Sequence, residues 1–579
     1  MTRHPSDDAP EDKGACMGPE QIAVAVSYAS RFGPWRSRCR GCLDMRALAA
    51  NRWFLAFLAM LPICWLTACY FLGAPQNTRP TGFIQYDQAY YMAEARQHFD
   101  DGFHLFYGLP ASSDYDTPRV YFHPQTLLLG ALAQSTGIEP GWVYVAFGLI
   151  ATFIFFRIAI GLYEYVVGLR SGAQFLVLPL FLWGGGLALL CGFLFNVTVG
   201  GALQTFDTGS WGANLGRGVI YGVEGYYHAL FFAAILVLLR RRYAIALLLV
   251  AVTCASHPFT GVELASILAG WVILEAVVDN KAAPPLWFRA GILLLLLLHL
   301  SYWLILLPRL SPEHAALTPL WQLPWVLHWY NEIPEYAIVG LAALWQLGSK
   351  QRLASALRDR TVRLMLAWFV GAFLLANHDL LISPRQPIHF THGYLWVPLF
   401  LIGAPVIVKL AEQLLSAPWR IGLSASIVLS GLVFLDNAGW FGGAGLDLLR
   451  SGNSVSFFPN PIYIGRSARD VLERLNDKAF AGGLVVSNAR ALSYQVTVYT
   501  PLRAWYSQMW NTPHPLERLA ELDALFQDGR DFSDWCCRKM IAIVDRRNDG
   551  EATAKLLALG YELVYQNIDF EVLLRPPRS

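Results

Sequence analysis

Apolar runs of roughly 20 residues recur along the chain, each long enough to cross a hydrocarbon core about 30 Å thick. In order they cover approximately 52–73, 141–163, 174–196, 219–239, 243–256, 259–278, 286–308, 334–348, 364–381, 394–411 and 420–440. The apolar piece 124–136 is too short to span and is expected to lie along the membrane surface. After residue 441 the pattern changes. "GGLVVSN" and "MIAIVD" read as buried strands, while "ARDVLERLND", "PLERLAELDALFQ" and "ATAKLLALG" have helical spacing, the last closed by a glycine. Alternating helices and strands predict a small α/β domain from about 460 to 579. The expected organisation is therefore a tail (1–51), a core of about 11 transmembrane helices (52–440) with a long loop at 74–140, and a C-terminal α/β region (441–579).

Lysine and arginine favour cytoplasmic loops. Arg31, Arg36, Arg38, Arg40 and Arg46 lie in the tail, Arg240, Arg241 and Arg242 form a second cluster, and Lys350, Arg352, Arg358, Arg360 and Arg363 a third. Placing all three inside puts the N-terminus in the cytoplasm and the C-terminus outside. The polar loops 74–140, 197–218, 309–333 and 382–393 then share the outer face, together with most of the 13 histidines. A bacterial inner membrane is the expected setting.

Composition agrees with this pattern. The 579 residues are 55% hydrophobic and 15% charged, against about 25% charged in a soluble domain. A net charge of +2 without a basic block gives no case for nucleic acid. The nine cysteines form no disulfide framework, and four of them (Cys64, Cys69, Cys191, Cys254) lie in apolar spans. Cys39 and Cys42 make a lone Cys-x-x-Cys with only Cys16 and His4 nearby, a weak basis for zinc; Cys536 and Cys537 read as packed thiols. The tail is too long and polar for a cleavable signal peptide, so the first span is expected to stay as an anchor.

The chemistry concentrates in the loops. In "TGFIQYDQAYYMAEARQ" (81–97), helical spacing places Asp87, Tyr90, Tyr91 and Glu94 on one face. Asp87 and Glu94 are then roughly 10 Å apart along the axis, too far to share a proton. Asp87 is either a helix cap or a lone acid/base. "SSDYDTP" adds Asp114 and Asp116 as reserves, and "ISPRQPIHFTHGYLW" (382–396) adds Arg385, His389 and His392, as phosphate ligands or as an interfacial anchor. "CASHPFTGVE" places His257 at a proline break between two spans, a binding site or a plain hairpin turn. "QTFDTGSWGANLGRG" supplies Asp207 and Arg217 in a glycine-rich loop that shapes a site or only joins two spans.

An acidic residue soon after the first span, followed by "AYYMAEARQ", resembles the first outer loop of GT-C membrane glycosyltransferases, the class of the protein O-mannosyltransferases and lipid A aminoarabinose transferases. "VYFHPQTLLLGALAQSTGIEP" (120–140), with His123 before its proline, looks like that loop's His-Pro surface helix. The sequence departs in having Asp-Gln where many relatives have Asp-Glu, and one proline where several have two. The resemblance implies inverting transfer of a sugar from a polyprenyl-phosphate carrier to a glycan, lipid or protein acceptor at the outer face. Asp87 would be the base, and a late-loop basic residue such as Arg385 would meet the phosphate. No metal site is evident, and metal dependence stays open. The competing classes are a transporter or flippase for a lipid-linked substrate, a glycan polymerase or ligase, and a non-catalytic assembly protein. Charge avoids the middle of the expected spans except at His299, which argues against transport.

Overall fold

The computed structural model describes residues 51–195, 213–220, 222–279, 283–327, 329–451, 462–532, 535, 538–547 and 550–577. The tail motifs (Arg31, Arg36, Arg38, Arg40, Arg46, His4, Cys16, Cys39 and Cys42), Asp207, Cys536 and Cys537 lie outside these residues.

Every expected apolar segment lies on helix, with ends set by local capping. The first segment is two helices, α1 (Arg52–Ala59) and α2 (Leu61–Leu72), with a 40° bend where Pro62 opens the second. Asn51 starts α1 by accepting the Phe54 N–H at 3.1 Å. Then come β1 (Thr78–Pro80), α3 (Gln88–Gln97), the predicted surface helix α4 (Pro124–Thr136) and α5 (Pro140–Val166). Both α4 and α5 begin with proline, whose missing N–H is an orphan at that position anyway.

The segment 174–196 departs from expectation: it is broken into α6 (Gly172–Trp183) and α7 (Ala188–Phe195). The break holds three glycines, where neighbouring helices come close. A Cβ on Gly186 would lie 2.2 Å from Glu335 Cα, and one on Gly185 2.9 Å from Asp436 Cβ. The bundle continues through α8 (Gly222–Leu239), α9 (Tyr243–Ser256), α10 (Pro258–Val278) and α11 (Leu286–Ser301), which runs on as a π-helical turn, Tyr302–Leu306. After it come α12 (Pro312–Leu320), α13 (Trp329–Leu347), α14 (Lys350–Ala356), α15 (Arg360–Ala376), α16 (Trp396–Ser416) and α17 (Trp419–Ser451). Because α17 runs 33 residues, past the expected end at 440, Asp436 sits mid-helix and charge does not avoid the middle of this segment. Among the described residues six helices are long and apolar enough to cross a membrane, or seven with the bent α1–α2 pair as one span, while α6 and α9 are apolar but shorter. The chain is a helical membrane protein.

The C-terminal elements are β2 (Tyr463–Gly465), α18 (Arg466–Arg474), β3 (Leu484–Ser487), α19 (Arg490–Tyr499), β4 (Arg503–Ala504), α20 (Pro515–Asp528), β5 (Met540–Asp545), α21 (Ala552–Ala558), β6 (Glu562–Gln566) and β7 (Phe570–Arg575). Five strands form one sheet in the order β4-β3-β5-β7-β6. β3 is parallel to both β4 and β5, joined through α19 and α20, and β7 is antiparallel to its two neighbours. This sheet is sewn to the first loop. β2 pairs antiparallel with β1, Thr78 opposite Gly465. Tyr494 and Val498 of α19 share one apolar cluster with Phe83, Tyr86 and Tyr90 of the loop and Tyr144 and Phe147 of α5.

Candidate active site

Loops 74–140, 309–327 and 377–395 meet the C-terminal region at one end of the bundle. The Gln386 N–H donates to the Leu323 carbonyl (3.0 Å) and Trp321 Nε1 to the Trp510 carbonyl (3.2 Å). Arg518 of α20 pairs with Glu313 of α12 at 3.2 Å. These contacts enclose a cavity of about 440 Å³ whose wall includes Asp87, Glu94, His123, His257, Arg385 and His389.

Asp87 occupies the N-cap position of α3 but makes no side-chain capping bond. Gln88 Oε1 braces the turn before the helix, accepting the Ile84 N–H at 2.7 Å. The Asp87 carboxylate instead accepts from Gln508 Nε2 at 2.5 Å. Desolvation raises its pKa to about 6, offset in part by the Gln508 hydrogen bond, which favours the charged form. A carboxylate near that value is matched to taking a proton at neutral pH.

Along the same face of α3, Glu94 Oε2 lies 3.6 Å from His123 Nδ1. That nitrogen also meets the Tyr107 hydroxyl at 2.6 Å, and the ring stacks on Trp303. His123 precedes α4 without capping it, which leaves the ring for the cavity. Arg385, also in the cavity wall, is half-buried, and its backbone N–H donates to His378 Nε2 at 2.9 Å. Among the described residues no carboxylate pairs with its guanidinium. His389 stacks on Phe259 with ring centroids 4.5 Å apart, and its Nδ1 is buried without a hydrogen-bond partner. Burial pushes the pKa of His389 down to about 3, with His392 adding to the shift, so it meets a ligand as a neutral donor. His392 is pushed down to about 3 by burial alone; it faces Glu224 at 3.3 Å and does not line the cavity. His257 lines the cavity and also caps α10, its ring accepting from the Thr260 N–H at 3.3 Å.

Three expected site residues are placed elsewhere. Arg217 is 1% exposed and enclosed by its own partners: Asp436, Asn437 Oδ1 at 2.5 Å and Glu335 at 3.5 Å. It is a structural cation with no face toward the cavity, because a buried guanidinium needs internal counter-charge. Asp114 and Asp116 are exposed and outside the cavity wall. Asp114 Oδ1 accepts the Asp116 N–H at 3.0 Å, in a turn that docks on the sheet through Tyr115 OH to the Gly483 carbonyl (3.0 Å).

Sequence reasoning missed Glu224, Gln508, Asn511 and the tryptophans 303, 321, 325 and 510, all in the wall. The aromatic-rich run "AWYSQMWN" (504–511) was the available signal for the C-terminal part. His299, read as a core histidine, does bond the Pro258 carbonyl at 2.8 Å, and it also reaches the cavity. A second cavity, about 820 Å³, lies between α4, α5 and α8 and is lined almost wholly by apolar side chains. Val143 faces this groove and Tyr144 the polar cavity, so one wall of α5 separates them. Among the described residues no group of three or more His, Cys, Asp or Glu is placed to hold a metal ion.

Comparison with solved structures returns a consistent set. The chain is similar to ArnT from Cupriavidus metallidurans bound to undecaprenyl phosphate, at 12% identity and TM-score 0.43, covering 92% of this chain and 97% of that one. It is also similar to the oligosaccharyltransferase AglB from Archaeoglobus fulgidus in complex with an inhibitory peptide and a dolichol-phosphate (10%, 0.48, covering 87% and 71%). A third is the arabinofuranosyltransferase AftD from Mycobacteria (14%, 0.46, covering 92% and 40%). All three are GT-C glycosyltransferases. No family model and no curated protein matches the chain. With TM-scores under 0.5 the GT-C likeness leaves the functional reading to the site's own geometry.

Proposed function

We propose that the chain is an inverting glycosyltransferase that moves a sugar from a polyprenyl-phosphate carrier to an acceptor at the outer face of a bacterial inner membrane. What carries the reading is that Asp87 and Arg385, 298 positions apart by their numbering, line one cavity, and neither is neutralised by an opposite charge among the described residues. Asp87 takes the proton of an acceptor hydroxyl or amine as that atom bonds to the anomeric carbon. The bond from that carbon to the phosphate oxygen breaks, and its electron pair leaves with the phosphate. Arg385 meets the dianion with a planar fork of donors, and the neutral His389 can add one more. Attack from the side opposite the phosphate inverts the anomeric centre. The products are glycosylated acceptor and polyprenyl phosphate, whose apolar chain suits the neighbouring 820 Å³ groove.

The test is sugar transfer by purified protein from a radiolabelled polyprenyl-phosphate sugar. Loss of transfer in Asp87→Asn with normal expression supports the reading, whereas full transfer by that variant removes it. Sidedness is tested separately by cysteine labelling: because position 112 of the first loop is buried, the probes are the exposed positions 116 and 530, which should be reached from outside, and 241 and 355, which should not. A transporter for a lipid-linked substrate is the second reading, favoured by the buried Arg217, Glu335 and Asp436 cluster reaching mid-α17. It predicts carrier movement across proteoliposomes without a new glycosidic bond, and loss of that movement when Asp436 is replaced.

A further inference from the structure

We propose that Gln508, from the C-terminal region, positions the Asp87 carboxylate, and that Asn511 sets which end of the Gln508 amide faces it. The catalytic consequence rests on Asp87 being the base; the contact itself can be tested without that assumption.

A primary amide has one accepting end and one donating end. Asn511 Nδ2 donates to Gln508 Oε1 at 2.9 Å, which occupies the accepting end. The donating end, Nε2, is left to reach Asp87 Oδ1. The segment around this relay is tied on both sides. Thr512 Oγ1 donates to the Gln508 carbonyl at 2.7 Å and accepts the Ser507 N–H at 3.2 Å. Immediately beside Asp87, the Tyr86 hydroxyl accepts the Met509 N–H at 2.7 Å, and the Tyr86 carbonyl accepts from Tyr494 OH at 2.7 Å. Residues 86–87 and 508–509 are therefore clamped at two points, and Gln508 is 1% exposed. The amide is not free to follow solvent. Nothing about base chemistry in isolation requires a glutamine 421 positions away in the chain. Its effect is to hold the carboxylate in one orientation and to favour the charged form against the desolvation of the cavity.

The other titratable groups near Asp87 are phenols: Tyr86 on its own segment, Tyr91 on α3, Tyr144 of α5 and Tyr494 of α19. Phenols are uncharged below about pH 10. Arg385, Glu94 and Glu224 face the same cavity without contacting the Asp87 carboxylate. Gln508 is thus the lone hydrogen-bond donor to Asp87 among the described residues.

The test uses the full chain in detergent and a hydrophobic carbodiimide, which reacts with protonated carboxyl groups, with Asp87 modification read by mass spectrometry against pH. The wild-type midpoint is expected at about 6. Gln508→Leu removes the donor and should move the midpoint up by about one pH unit. Asn511→Leu leaves Asp87 and Gln508 in place and removes, without adding charge, the donor that holds Gln508 Oε1, so the amide is no longer fixed and the midpoint moves the same way by a smaller amount. Monodispersity and thermal unfolding identify folded variants, and Asn511→Leu decides the matter if Gln508→Leu does not fold. Unmoved midpoints in the folded variants would overturn the inference. Where the midpoint moves, the acid limb of transfer activity should move with it. A shifted midpoint with an unshifted acid limb would uphold the contact and remove the base reading, which separates the two failures.

Discussion

Arg217 and Arg385 were both candidate ligand-binding arginines, Arg385 the stronger one for the carrier phosphate, and the fold treats them in opposite ways. Arg217 is enclosed by Asp436, Glu335 and Asn437, with 1% of its surface exposed. Arg385 is half-buried on a cavity wall with no carboxylate partner among the described residues. A buried guanidinium is tolerated when its counter-charges come with it, and those same partners leave it nothing to offer a ligand. At a cavity wall the guanidinium keeps its water until an anion displaces it. The carboxylates divide in the same way: Asp436 is committed to Arg217, while Asp87 is met by a neutral amide. Burial does not separate a site from a scaffold; prior neutralisation does.

The largest effect that sharpens this contrast is at Asp87, the proposed base. Asp87→Asn keeps the size and loses the proton acceptor, so transfer should fall by about 10²–10⁴-fold while yield and thermal unfolding hold steady. Initial rates at saturating donor measure it, and a drop in folded protein of the same size would return Asp87 to a structural role. Arg217→Met should do the reverse. It strands two buried carboxylates, and breaking such a cluster costs roughly 3–5 kcal/mol of stability. The expected readout is a lower unfolding midpoint in detergent, with unchanged turnover in whatever remains folded. Next is Arg385→Ala, for which loss of a charge-assisted contact to the departing phosphate corresponds to about 2–4 kcal/mol in kcat/KM. Arg385→Lys should recover part of this, since lysine lacks the bidentate fork. Wild-type kinetics in Arg385→Ala would erase the distinction between the two arginines.

A smaller effect follows from pH. With its pKa raised to about 6, Asp87 is protonated over a range in which an ordinary aspartate stays charged, which a proposed base would show in its rate. Transfer should therefore decline below about pH 6, by about tenfold per unit once well under that value. An acid limb near pH 4 would mean that another group takes the proton. Smallest of all, Asp114→Asn and Asp116→Asn change exposed side chains outside the cavity, and rate and stability should stay within about 0.5 kcal/mol of wild type.

Much of the framework was legible in the chain. Hydropathy located the apolar helices among the described residues, and the short piece 124–136 is a helix of 13 residues, too short to cross. The strands at 484–487 and 540–545 were visible as apolar runs between helical ones. The break at 184–187 was less so. Its three glycines were in plain view, but their reason, the approach of Glu335 and Asp436, comes from segments about 150 and 250 residues downstream. Asp87, Glu94, His123, His257, Arg385 and His389 were singled out from their loops and converge on one cavity, whereas Arg217 and the reserve aspartates Asp114 and Asp116, also singled out from loops, do not.

The sequence by itself determined where the helices lie, that an aspartate follows the first span at the start of a short helix, and that strands and helices alternate after the last one. These are local properties, set by hydrophobic period and capping within a few turns. Only the tertiary structure decided which charges are spoken for. Arg217 finds Asp436 across 219 positions and Asp87 finds Gln508 across 421. Electrostatic and hydrogen-bond energies depend on distance and burial in space, and neither is encoded in separation along the chain.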